Sequence, residues 1–372
     1  MSLNSIGTQA SDVKFGLMTQ LQIPRPSEPQ AERNAYRNLI DQGVAGESAG
    51  FHYFWLTEMH FFKQIGHSPC PDLLHAAISQ RTQRIRLGFA VLLLTLHNPY
   101  MLAERVATVD VLSNGRVDFG FGRGSTPYMT EAFGVKGETN RDLAAEALTA
   151  TMKMFEQEEF PGYKSKHFDL PPRHVLPRLI QQPHPPLWIA ASNLSTYKFA
   201  AEKGVGVIGV TRNSVSESRD AIRTYRETIR GADRSKFIGK FANEHVAAFA
   251  ITCCHEDDRT GKDIACAAAR WYNGDNDAEL NRVRFATAGG KDAVVAKFRA
   301  RNNDQLLEDG MAIGGNPDSI SRQVEKWAKA GLDQMIFVLQ AGNTTHEQVM
   351  RSIELIGRKV IPRFESAPAT VA

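Results

Sequence analysis

The chain has 372 residues, of which 42% are hydrophobic and 23% charged, and its formal net charge is +3. This is the composition of a globular protein with a large core, and so small a charge, without a Lys/Arg-rich block, disfavours nucleic-acid binding. No apolar run approaches the ~20 residues of a membrane span, no signal-peptide pattern opens the chain, and the four cysteines lack disulfide or metal-ligand spacing, which predicts a cytoplasmic protein with reduced thiols and no metal site.

Apolar, β-rich runs alternate with helical patterns along the whole chain. The predicted strands are 13–21, 53–59, 85–94, 116–122, 187–192, 205–211, 243–252 and 333–340. The predicted helices are 29–49, 71–82, 100–113, 141–157, 195–203, 215–230, 259–273, 317–330 and 344–360. Eight strands that alternate with helices predict an α/β protein with a parallel sheet, and eight closed units make a (β/α)8 TIM barrel. A doubly wound open sheet is the alternative.

Two segments interrupt this alternation within a single predicted domain, 1–372. Residues 159–186 are proline-rich and aperiodic, which predicts a long surface loop before the fifth strand. Residues 274–315 stand between the seventh helix and the last helix–strand pair, and long insertions of this kind are usually functional lids or disordered. We therefore expect a mobile insertion at 274–315 and a flexible tail at 365–372.

The fourth predicted strand ends in a glycine-rich turn that carries one arginine, Arg123, and a second arginine, Arg141, opens the next helical pattern. Two fixed cations at such a junction predict a phosphate site, because a planar guanidinium can hold two phosphate oxygens and glycine lets the backbone approach closely. The competing interpretation of Arg141 is a surface ion pair with Glu138. The glycine pattern alone is weak evidence for a dinucleotide site.

Two hydroxyl side chains, Ser192 and Ser195, flank the junction between the fifth strand and its helix. The amides and dipole of a helix N-terminus favour an anion, so these residues could complete a phosphate cup with the two arginines. The competing interpretation is that Ser195 or Thr196 simply caps the helix.

Candidate acid–base residues follow the second and third predicted strands. Glu58, Met59 and His60 come after the second strand, and His97 follows the third. Since active sites of TIM barrels gather at the carboxyl ends of the strands, Glu58, His60 and His97 are candidate catalytic residues. Structural histidines and ordinary loop packing are the alternatives.

Several ordered segments together resemble the bacterial luciferase-like, flavin-dependent monooxygenases over nearly all of the chain. They are FGLMTQLQIPRP, FHYFWLTEMHFF, IRLGFAVLLLTLHNPYMLAERVATVDVLSNGRVDFGFGRG, FGVKGETNR, LWIAASNLSTYKFAAEKG, WYN and NPDSISRQVEKWAKAGLDQMIFVLQAG. The resemblance implies a barrel with a lid insertion, reduced FMN delivered by a separate flavin reductase, and a homodimer formed through the face that includes the helices after the second and third strands.

The resemblance also implies roles for individual residues. Arg123, Arg141, Ser192 and Ser195 fall where the family holds the FMN phosphate. Ala90-Val91 falls where the family has a non-prolyl cis peptide beneath the flavin ring. Trp271 and Met59 fall in the substrate pocket.

The turn after the second strand departs from the family pattern. The light-emitting subunits carry Glu-His-His-Phe, with the catalytic histidine first, whereas this chain has Met59 in that position and keeps only His60. Methionine does not exchange protons. The non-catalytic luciferase subunit also lacks that histidine, but it has lost the phosphate-binding arginine that this chain keeps. Two further departures are Gly122, in place of a redox-active cysteine, and Ala191, in place of an acidic residue.

The sequence therefore predicts a two-component monooxygenase that uses reduced FMN and O2 to oxygenate an aldehyde, a ketone or another small apolar compound. One alternative is a coenzyme F420-dependent oxidoreductase, since relatives of this barrel use that cofactor. A second alternative is a catalytically silent flavin-binding or partner subunit, which the Met59 substitution permits.

Overall fold

The computed structural model describes residues 13–124, 126–210, 212–275 and 291–365. Eight parallel strands close into a barrel because the seventh pairs with both the sixth and the eighth, and the eighth pairs with the first. The predicted (β/α)8 barrel is thus confirmed, and the open-sheet alternative is wrong. The barrel strands are β1 (Lys14–Thr19), β2 (Tyr53–Leu56), β3 (Arg86–Phe89), β4 (Val117–Gly122), β5 (Leu187–Ala191), β6 (Gly206–Val210), β7 (Val246–Cys254) and β8 (Gln334–Val338).

The long helices lie close to their predicted bounds. They are α1 (Ala31–Ser48), α2 (Pro71–Ser79), α3 (Pro99–Leu112), α4 (Asn140–Glu156), α5 (Leu194–Glu202), α6 (Val215–Arg230), α7 (Asp258–Arg270), α8 (Pro317–Lys329) and α9 (His346–Lys359). Helix α6 illustrates why the sequence forms them. Ser214 and Glu217 make a reciprocal capping box at its start, and Ile222, Tyr225 and Ile229 recur at helical spacing on its buried face.

The interior of the barrel is filled by large side chains near its amino-terminal end. Trp55 and Trp188 meet edge to face with ring centroids 5.2 Å apart, and a Cβ on Gly88 would lie 2.1 Å from the Trp55 ring. The buried Asp118 carboxylate accepts hydrogen bonds from the Trp188 indole N–H and from Arg86. Because active sites of TIM barrels lie at the carboxyl ends of the strands, the carboxyl-terminal mouth is the place to look for a site.

Residues 159–186 are more ordered than predicted. The segment contains a short antiparallel hairpin, Tyr163–Lys164 with Asp169–Leu170, so the expectation of an aperiodic loop was wrong in part. Asp110 anchors its far end, because its carboxylate accepts hydrogen bonds from the backbone N–H groups of Ile180 and Gln181. Strands of two residues are too short to leave a periodic pattern in a sequence.

The 274–315 insertion carries two helices, Lys291–Arg299 and Asn303–Glu308, and a strand, Ile313–Gly315, which pairs with the end of β7. Residues 276–290 lie outside the described residues, as do residues 366–372 of the predicted tail, so the lid stays a prediction. Helix α7 ends at Arg270, and Trp271–Asp275 form a π-helical turn where the sequence predicted continued α-helix. In the described part of the chain, no helix is both long and apolar enough to cross a membrane.

Candidate active site

A hydrogen bond joins the two segments that carry the predicted phosphate-binding arginines. The Asn140 side-chain N–H donates to the carbonyl of Gly124 at 3.0 Å, which joins the start of α4 to the turn after β4. Arg123 and Arg141 are both exposed, and within the described residues neither guanidinium has an ion-pair or hydrogen-bond partner. The predicted alternative pair of Arg141 with Glu138 is therefore not observed.

The two predicted hydroxyl residues stand at the end of the neighbouring strand. Strand β5 lies beside β4, with Phe121 opposite Ile189, so the Ser192 turn adjoins the Arg123 turn. The helix cap is Asn193, whose Oδ1 accepts from the Thr196 N–H at 3.0 Å, so the competing interpretation, that Ser195 or Thr196 is the cap, is wrong. The Ser195 hydroxyl donates to the same oxygen at 2.7 Å.

Strand β3 breaks at Ala90–Val91, where the peptide is cis, as the resemblance implied. The break presses against β4: a Cβ on Gly120 would lie 1.9 Å from the carbonyl oxygen of Phe89, and a Cβ on Gly122 would lie 2.6 Å from Val91 Cγ2. This close approach gives a physical reason for glycine at position 122. Leu92–Leu93 then pair with the end of β4.

An apolar cluster lines the mouth next to this break. Met59, Val91 and Trp271 all pack against it, so the structure brings together both predicted substrate-pocket residues and the residue predicted to lie beneath the flavin. Its buried members are Phe62, Ile65, Leu93 and Met129. Three exposed aromatic side chains, Phe61, Tyr128 and Phe133, continue this apolar surface outward.

Glu58 is the centre of the predicted acid–base cluster. Its buried Oε1 accepts hydrogen bonds from His60 Nε2 and His97 Nε2, each at 2.9 Å, and its Oε2 accepts from the Leu93 N–H at 2.8 Å. Burial by itself would raise the pKa of Glu58, but these hydrogen bonds outweigh it and hold the pKa below its usual range. Glu58 is therefore an ionised carboxylate that orients two imidazoles.

Two hydrogen bonds to backbone carbonyls connect the region of this cluster to the β3 break and to the turn that carries Arg123. The Glu58 N–H donates to the carbonyl of Val91 at 3.4 Å, and the Thr95 hydroxyl donates to the carbonyl of Arg123 at 2.8 Å. Glu58, the β3 break and the Arg123 turn are thus connected at one end of the barrel.

Two residues that the sequence did not indicate, Arg105 and its partner Asp72, lie on the side of His97 away from Glu58. Arg105 Nη1 lies 3.2 Å from His97 Nδ1, and the same guanidinium makes a bidentate pair with Asp72, with N–O distances of 2.8 and 2.5 Å. In the sequence Arg105 resembles a solvated position of an amphipathic helix, and Asp72 resembles an ordinary acidic residue of a first helical turn. Nothing in their spacing indicated a contact across 33 residues.

Comparison with known sequences gives a family and several relatives. Residues 13–334 match the family described as luciferase-like monooxygenase. The oxygenase component of a flavin-dependent trigonelline monooxygenase from Acinetobacter baylyi is 26% identical over 363 residues, 95% of this chain and 96% of the relative. An F420-dependent glucose-6-phosphate dehydrogenase from Amycolatopsis mediterranei is 25% identical, over 82% of this chain and 90% of the relative.

Two solved structures share the fold. The monooxygenase RslO1 from Streptomyces bottropensis superposes with a TM-score of 0.77 at 23% identity, covering 95% of this chain and all of its own. The oxygenating constituent of 3,6-diketocamphane monooxygenase from Pseudomonas putida, in complex with FMN, has a TM-score of 0.74 at 18% identity, covering 96% of this chain and all of its own. At these identities the likeness shows the fold alone.

Proposed function

Since the chain belongs to the luciferase-like monooxygenase family, we propose that it is the oxygenase component of a two-component, FMN-dependent monooxygenase. A relative that spans nearly the whole chain is described as an oxygenase component, which supports a separate flavin reductase as partner. A fold relative was solved with FMN, which supports that flavin. Reduced FMN, when bound, would supply the electrons and the reaction with O2.

The observation that carries this proposal is the pair of exposed guanidinium groups, Arg123 and Arg141, without partners in the described chain. These two cations on adjoining turns, with the hydroxyl of Ser192 and that of Ser195 once it turns from Asn193 Oδ1, form a donor set that fits a phosphate monoester. These four residues would hold the FMN phosphate. Ala90 and Val91 would support the ring, since their peptide lies at the edge of the apolar cluster.

The substrate would be a small aldehyde, ketone or other apolar compound. The support for such a substrate is that Met59 and Trp271 pack on an apolar cluster at the mouth of the barrel. An apolar pocket wall of this kind binds apolar groups and keeps water from the reacting atoms. His60 and His97 are the residues available for proton transfer, with Glu58 orienting both.

The proposal is tested by titrating the purified protein with FMN and with F420, using the wild type, Arg141→Ala and the control Arg37→Ala. Arg37 is likewise exposed but lies on α1, away from the predicted cup. We expect FMN to bind the wild type and Arg37→Ala equally and to bind Arg141→Ala about 10-fold to 100-fold more weakly, because a hydrogen bond to a charged group contributes about 1.5–3 kcal/mol.

The same titration separates the alternatives. Binding of F420 but not of FMN would overturn the proposed cofactor in favour of an F420-dependent oxidoreductase. An FMN affinity that is unchanged in Arg141→Ala would overturn the assignment of Arg141 to the FMN phosphate. Oxygen consumption with FMN, a reductase, NADH and a panel of aldehydes and ketones tests the activity. FMN binding without any substrate-dependent oxygen use would favour the silent subunit.

A further inference from the structure

Five polar side chains from separate parts of the chain form one continuous row of hydrogen bonds, from the surface helices to the mouth of the barrel. The Asp72 carboxylate on α2 holds the Arg105 guanidinium on α3 in a bidentate pair. Arg105 contacts His97, and His97 and His60 both contact Glu58. In order, the row is Asp72, Arg105, His97, Glu58 and His60.

The chemistry of these groups fixes where the proton on His97 lies. A guanidinium has only N–H donors, so His97 Nδ1 accepts from Arg105 at 3.2 Å and carries no proton. The remaining imidazole proton is then on Nε2, where it donates to Glu58 Oε1 at 2.9 Å. Both nitrogens of His97 are thus engaged, and a second proton on Nδ1 would point at a cation.

His60 differs from His97 in having one free nitrogen. Its Nε2 is held by Glu58, but its Nδ1 has no hydrogen-bond partner within the described residues. The ring is partly exposed and lies between Phe61 and Phe133, with centroid distances of 5.7 and 5.0 Å. An imidazole held by a carboxylate at one nitrogen and open at the other is the arrangement of a general acid or base.

We propose that Arg105 and Asp72 are positioning residues that lock His97 in its Nε2–H form, so that His97 and Glu58 together orient His60 as the residue that exchanges protons with the substrate. This inference rests on the proposed function for its reaction, but the lock itself is a property of the protein alone. Arginine suits the position because its planar fork bonds both Asp72 oxygens and still has an N–H for His97.

Other titratable groups of the described residues lie beside the row. Cys70 lies near Arg105, and His75 lies near Asp72. Full burial lowers the pKa of His75 to about 4, so that ring is neutral at neutral pH. Hydrogen bonding to Asp72 raises the pKa of Arg105 above its ordinary value, which keeps the guanidinium charged.

A different role for the Asp72–Arg105 pair would be only to fasten α2 to α3. In that case its removal would lower stability and leave the His97 proton where it is. The experiment must therefore observe the imidazole itself. Nitrogen-15 labelling of the histidines, with two-bond proton–nitrogen correlation spectra of the flavin-free protein, distinguishes the two neutral forms, and the His97→Gln variant assigns the signal.

In the wild type we expect a single His97 form with the proton on Nε2. In Arg105→Met we expect a mixture of both forms or a protonated ring, and in Arg105→Lys a partial return to the wild-type signal. Arg226→Met is the matched control, because Arg226 makes a half-buried pair with Asp333 away from the mouth. It should leave the His97 signal unchanged. Asp72→Asn tests the same lock if Arg105→Met does not fold.

With substrate turnover as the readout, Arg105→Met should lower kcat about 10-fold to 100-fold with little change in KM, because misorienting a general acid or base removes part of its contribution of about 10²–10⁴. It should also shift the pH profile of kcat, and Arg105→Lys should recover part of the rate. An unchanged His97 form in both Arg105→Met and Asp72→Asn, or an equal change in Arg226→Met, would overturn the proposal. Should the wild type oxygenate no substrate, the spectra of the flavin-free protein still decide the lock.

Discussion

At the scale of single residues, the candidate site depends on one buried carboxylate. Glu58 accepts three hydrogen bonds, two from imidazoles and one from the backbone of Leu93, and it also donates its N–H to Val91 beside the β3 break. A buried charge with so many donors is stable only while all of them are in place. Through its backbone N–H and its carboxylate, Glu58 therefore links the segment predicted to lie beneath the flavin to the predicted proton-transfer residues.

We predict that Glu58→Gln lowers the free energy of unfolding by about 1–3 kcal/mol at neutral pH, because an amide cannot accept from all three donors. The folded-state pKa of Glu58 lies below its unfolded value, so its contribution is full above the unfolded pKa and is lost as pH falls through the folded pKa. The difference between wild type and variant should therefore narrow below about pH 4.

Urea unfolding of both proteins between neutral and acidic pH measures this difference. Glu202→Gln is the control, since Glu202 is an exposed residue of α5, and it should match the wild type throughout. A difference between wild type and Glu58→Gln that stayed constant across this range would contradict the pKa assignment.

At the scale of elements, the contact between β3 and β4 shapes the floor of the site. Gly120 lies where a Cβ would come within 1.9 Å of the Phe89 carbonyl oxygen, a distance that only movement of the backbone could relieve. Gly137, by contrast, has open space around its Cβ position and no left-handed backbone conformation. Substituting alanine at Gly120 and at Gly137 therefore adds the same methyl group in a crowded and in an open position.

We predict that Gly120→Ala destabilises the protein by about 1–3 kcal/mol or more, because it overpacks a buried strand contact. Gly137→Ala should stay within about 0.5 kcal/mol of the wild type. Thermal or urea unfolding measures both effects, and FMN titration of Gly120→Ala should show weaker binding if the Ala90–Val91 segment supports the flavin. Equal stability of the two variants would show that β4 can move away from β3 at little cost.

At the scale of the whole molecule, the homodimer predicted from the resemblance has a candidate surface. Helices α2 and α3 carry exposed apolar side chains, including Leu73, which is 67% exposed, and Met101, which is 56% exposed. Phe199 on α5 is 43% exposed and belongs to another face of the barrel. Exposed apolar residues on adjacent surface helices are typical of a subunit interface.

We predict that the wild type is a dimer in solution and that Leu73→Glu with Met101→Glu converts it to a monomer, because buried unpaired carboxylates would be costly at the interface. Light scattering coupled to size-exclusion chromatography measures the mass. Phe199→Glu should remain dimeric. A monomeric wild type, or a dimer that persists in the double variant, would argue against this interface.

The sequence by itself determined the barrel and the location of the candidate site. Eight strand–helix repeats predicted the fold, and the strand-end rule placed Glu58, His60, His97 and Arg123 at one mouth, because parallel strands of a barrel all end on the same side. Only the tertiary structure decided how these residues act. The Asn193 cap, the clash that requires Gly120, and the row from Asp72 through Arg105 to His97 depend on distances between parts of the chain that carry no local pattern. Periodicity reports which face of an element is buried, but it does not report which partner a polar side chain meets there.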